Sequence, residues 1–166
     1  MSGAVKLNHE PKLVPPRGAA IAGVIFAILT IIGFGLVRYA IPANVNEPGT
    51  WLIEPHHRNA VRFALRLVPF AGIAFLWFIG VLRDRLGTHE DRFFATVFLG
   101  SGLIFITMLL SSAAVTDSLI ESISDGNISG ETYYFGRHIS DALLNLFAMK
   151  MAGVVMFSTC TLGLRT

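Results

Sequence analysis

Lys150 is the only charged side chain in the apolar run from Ala142 to Leu164. An ionisable group inside a membrane helix costs roughly 2.5–3.5 kcal/mol on insertion scales and marks a functional site by default. Three chemistries suit it. Its stem can carry the ammonium outward to the interface; it can pair with Asp117 or Asp141; or it can handle an ion or an anionic substrate. Lys150 is expected about two turns from the outer end of its helix.

Three further constellations can do chemistry. His138, Asp141 and Asn145 follow i, i+3, i+7 spacing, which places them on one helix face. His138 and Asp141 are weak candidate metal ligands by type, and an ordinary polar first turn explains them equally. Arg58, Arg62 and Arg66 recur every fourth residue and make a stripe. Such a stripe suits an anion or lipid phosphate, or simply forms an interfacial ledge. His56 and His57 are adjacent, so a regular helix cannot aim both at one metal.

No H-E-x-x-H, G-x-S-x-G or Walker pattern occurs. A membrane cytochrome needs paired histidines within its spans. All five histidines here, at 9, 56, 57, 89 and 138, lie outside the apolar runs or at their ends. No cofactor and no catalytic set is therefore expected.

These residues must be positioned by something, and composition says what. Hydrophobic residues make up 53% of the 166 and charged residues only 14%, where about a quarter charged is usual. So few charges cannot cover a water-facing surface. The net charge of +2 arises from scarce acids rather than a basic patch, which excludes a nucleic-acid binder. With one cysteine, Cys160, no internal disulfide can form.

Four apolar segments follow one another, and in lipid each must be helical to satisfy its own backbone. The sequence predicts an all-α integral membrane four-helix bundle with spans at about 18–41, 62–83, 92–116 and 139–164. A tail over 1–17 precedes them, and outer loops cover 42–61 and 117–138. The first run, Gly18 to Val37, carries no charge and exceeds the 7–15 residues of a signal-peptide core, so it is expected to be retained.

Orientation follows from Lys and Arg. With the N-terminus inside, the inner side holds Lys6, Lys12, Arg17, Arg83, Arg85, Arg92 and Arg165; the outer side holds Arg38, Arg58, Arg62, Arg66 and Arg137. Both termini are expected in the cytoplasm and the chain in the cell membrane. Small residues at Ala19, Gly23 and Ala27 form a ridge suited to close helix approach. That ridge is a candidate surface for a second copy or a partner subunit.

The segment "GVLRDRLG" resembles the G-x-L-x-D-R-x-G loop motif of major facilitator transporters, with Gly80, Leu82, Asp84, Arg85 and Gly87 in matching positions. The resemblance implies a charge relay at Asp84 and Arg85. The basic run that follows in that family is replaced here by "THEDR". A broader stretch, Phe75 to Leu110, is similar to a family of small polytopic bacterial integral membrane proteins. It carries F-x-x-F-x-G-x-L-R-D-x-x-G, then D-R-x-F-x-T-x-F and Gly100-Ser101-Gly102. That family brings no activity, and the resemblance implies either a short member or one cut after Thr166. The sequence thus points to a non-enzymatic structural, sensory or accessory membrane subunit. The alternative is a small transporter or channel component using Lys150 and the arginine stripe.

Overall fold

The computed structural model describes residues 17–86, 92–124 and 129–165, and these hold helices and no strand. Helix α1 is Arg17–Ala40, α2 is Pro55–Leu86 and α3 is Arg92–Ser124. A single 3-10 turn, Thr50–Leu52, lies between α1 and α2. Helix α4, Gly130–Asp141, runs without a break through a π-helical segment, Ala142–Ala148, into α5, Met149–Arg165. The four resulting rods are each long and apolar enough to cross a bilayer.

The rods outrun the predicted spans, for reasons that are local. Pro55 occupies the first helical position of α2, where its missing N–H is no loss, so the loop expected over 42–61 is shorter. The loop expected over 117–138 is mostly helix. Along α3, Thr116 donates to the carbonyl of Ser112 at 2.9 Å, Ser118 to Ala114 at 2.9 Å and Ser122 to Ser118 at 2.8 Å. Each hydroxyl is thereby satisfied on its own helix, and packing against α4 holds this polar stretch in place. Across the turn, Ser129 caps α4 by accepting from the Thr132 N–H at 3.3 Å.

Pro69 lies deep inside α2. There it deprives the Leu65 carbonyl of its helical donor. Membrane helices tolerate this where polar or wet surroundings supply substitutes.

Helices α1 and α2 form an extensive hairpin, α2 packs on α3, and α3 packs along α4 and α5. The central core joins Phe75 and Ile79 of α2, Phe98, Phe105, Ile106 and Leu109 of α3, and Ala148 and Val155 of the last rod. Phe26 of α1 enters it, 4.9 Å from the Phe75 ring and 6.3 Å, edge-on, from Phe105. A second cluster closes one end with Ala40, Ile41, Trp51, Leu52, Val61, Ile120 and Tyr133.

Most of the small-residue ridge of α1 is used inside the chain. Ala19 is buried, and a Cβ on Gly23 would sit 3.1 Å from the Phe78 ring of α2, whereas Ala27 is exposed.

Candidate functional site

Toward the end closed by Trp51 and Tyr133, several charged side chains line two recesses. The larger, about 580 Å³, is a groove between α2 and α3. Arg62 and Arg66 line it from α2, Asp117 and Glu121 from α3, with Pro69 and Leu110 among the apolar residues of its wall. Two members of the arginine stripe therefore meet two carboxylate-bearing residues across one groove, which no single helix pattern specifies. Arg66 is exposed and Arg62 half-buried. Guanidinium groups in such a groove can bind carboxylate or phosphate bidentately.

Arg58 departs from the stripe. It is half-buried, and its Nε is fully enclosed without a hydrogen-bond partner among the described residues. It belongs structurally to the packed end rather than to the groove.

The smaller recess, about 310 Å³, is lined by Arg38, Tyr39, Trp51, Glu54 and His57, among others. His57 Nδ1 lies 3.3 Å from Glu54 Oε2, and its ring meets Tyr39 edge-on at 5.5 Å. Glu54 is thus the partner of His57 across one helical turn. His56 is exposed.

Two polar contacts lock this end. Trp51 donates its indole N–H to the Tyr133 hydroxyl at 3.1 Å in a buried setting. The Ser112 hydroxyl lies 2.9 Å from both the Ser140 carbonyl and its hydroxyl, and Thr116 Oγ1 lies 2.7 Å from Ser140 Oγ. This three-hydroxyl clasp binds α3 to α4 immediately before the π segment. Arg137 adds a 2.8 Å bond to the Pro42 carbonyl. Tyr133→Phe leaves the Trp51 N–H buried without its acceptor. It is expected to cost about 1–3 kcal/mol, read from unfolding in mild detergent followed by Trp51 fluorescence in a Trp77→Phe background.

The remaining candidates do not converge. His138 is exposed, and Asp141 accepts from Asn145 Nδ2 at 2.6 Å on its own rod. Among the described residues, no group of three or more His, Cys, Asp or Glu gathers to hold a metal. Lys150 is exposed and lines neither recess. Among the described residues it has no carboxylate within 4.0 Å, so the pairing with Asp117 or Asp141 is not made. Nor is it near the outer end of its rod: it lies twenty residues from the start at Gly130, about 30 Å along the axis.

Of the loop motif, Gly80 is exposed with open space beside it, while Asp84 and Arg85 fall in the last turn of α2. Gly87 lies outside the described residues. No family model, curated protein or solved structure matches the chain.

Proposed function

We propose that the protein is a multi-pass membrane protein of the cell membrane, with both termini inside, acting as a structural, sensory or accessory subunit rather than as an enzyme. The supporting observation is the exterior of the four rods. Only 11% of the most apolar window of α1 is buried within the protein. Ile21, Ile28 and Ile31 of α1, Phe70 and Trp77 of α2, and Met156 and Phe157 of α5 all face outward. Soluble monomers rarely expose contiguous apolar surface beyond a few hundred Å², whereas a bilayer covers such rods at no cost.

Lys150 does not line the arginine-bearing groove, which separates the two parts of a transport reading. Asp117 and Glu121 offset the two arginines within the groove, and the exposed Arg66 suits a lipid headgroup phosphate at the interface.

The test uses the full chain in vesicles. The protein is expected to resist alkaline carbonate extraction, and Lys150→Met is expected to insert at least as well as wild type. Neither is expected to carry ion flux above protein-free vesicles. Flux that vanishes in Lys150→Met with insertion unchanged would overturn the subunit reading in favour of transport.

A further inference from the structure

Resting on the membrane reading above, we infer that the outward face of α5 around Lys150 is the docking site for a transmembrane helix of a different protein, one carrying a carboxylate at mid-bilayer depth.

Depth is fixed by contacts. Ser140 meets Ser112 where α4 runs antiparallel to α3. Ten residues further along its rod is Lys150; ten residues back along α3 is Gly102. A Cβ on Gly102 would lie 3.5 Å from the Phe75 ring, which in turn lies 4.9 Å from Phe26. Phe26 is near the middle of the uncharged run Gly18 to Val37. Lys150 is therefore close to the centre of the apolar layer. A lysine's four-carbon stem covers less than half of the ~15 Å to either edge of a ~30 Å core, so snorkelling does not bring the ammonium to water.

The face is open and shaped for a neighbour. Lys150, Gly153, Phe157 and Cys160 recur at helical spacing on one side of α5, and all are exposed. Gly153 has open space where a side chain would stand, which lets a second helix approach closely. Charge complementarity then selects the occupant. A cation in hydrocarbon is stabilised by a carboxylate at its own level.

The four rods of a second copy do not supply one. Within residues 1–166, no Asp or Glu occurs between Glu10 and Glu47, between Glu54 and Asp84, between Asp91 and Asp117, or between Asp141 and Thr166. The acids of these residues lie beyond the apolar runs, so charge complementarity favours a partner helix over these rods of a second copy.

The experiment places the full chain in vesicles with a designed leucine-rich transmembrane peptide and measures association by energy transfer. The peptide bears a single central Glu or, as the comparison, Leu. Wild type is expected to bind the Glu peptide about tenfold more tightly. Lys150→Met is expected to erase that preference, and Gly153→Leu to weaken association while leaving thermal stability unchanged. Equal binding of the two peptides, or a preference that survives in Lys150→Met, overturns the inference. So does efficient self-cross-linking through Cys160 that is indifferent to Lys150, which assigns the face to a second copy. A chain that washes out of the vesicles removes the membrane reading and the inference with it. A chain that stays inserted without preference removes the inference alone.

Discussion

Gly136→Leu is expected to destabilise the bundle by about 3 kcal/mol, toward the upper end for overpacking of a closed interface. A Cβ at Gly136 would already lie 2.7 Å from Leu119 Cδ2 and 3.2 Å from its Cγ. Leu119 is itself buried and has nowhere to retreat, so a larger side chain displaces α4 from α3. The displacement is propagated one turn each way. Tyr133, three residues earlier, loses its alignment with Trp51, and Ser140, four residues later, loses Ser112 and Thr116. Each interhelical hydrogen bond in a bilayer is worth about 0.6 kcal/mol on average, so the clasp and the wedge add. Reversible unfolding in detergent micelles measures the sum. Pairing the change with Leu119→Ala is expected to recover most of the loss, because the volume is returned to the same interface. If the double variant is no better than the single one, the close approach of α3 and α4 is not what the glycine serves.

The second large effect is expected from Phe98→Ala. Phe98 has no exposed surface and belongs to the central core that joins α2, α3 and the last rod. In a water-soluble core this change costs about 3–5 kcal/mol. Part of that is the transfer of the ring from water, which does not arise when the unfolded helices remain in lipid. The cavity and the lost dispersion contacts remain, so about 2–3 kcal/mol is expected here. Phe98→Leu, which fills most of the space, is expected to cost well under half as much. A full 3–5 kcal/mol for Phe98→Ala would indicate that the reference state is wet.

The four rods were legible because their signal is bulk composition: long runs such as Gly18 to Val37 admit no other structure in lipid. Their ends were not. Thr116 to Ser124 and Gly130 to Asp141 are polar, and polarity reads as loop apart from a short amphipathic helix through Ser118 to Ile123. What holds them in place is the packing of α3 on α4 through Leu119 and Gly136, together with the cap at Ser129, and the pairing of two helices leaves no distinctive trace in residue order. That misreading also misplaced Lys150, since a rod thought to begin near 139 begins at Gly130.

Half of the groove was legible from one helix, as arginines four apart. Its other wall, Asp117 and Glu121, depended on the register between α2 and α3. Gly136, Ser112 and Ser140 carried no signal beyond being small, although their positions decide how the last rod is held. The π segment further defeats spacing arguments, because positions on either side of it no longer share a common 3.6-residue phase.

The hydroxyl clasp has a consequence for synthesis. Of the four rods, the one it holds is the least apolar and the last to be made. Its own partition into hydrocarbon is the weakest, and its lysine weakens it further. During translation, α3 is already in place when this rod leaves the translocon, so Ser112 and Thr116 offer a waiting foothold. Membrane integration of the final rod is thus expected to be cooperative with its predecessor, and a chain lacking those hydroxyls to stall with that rod unseated.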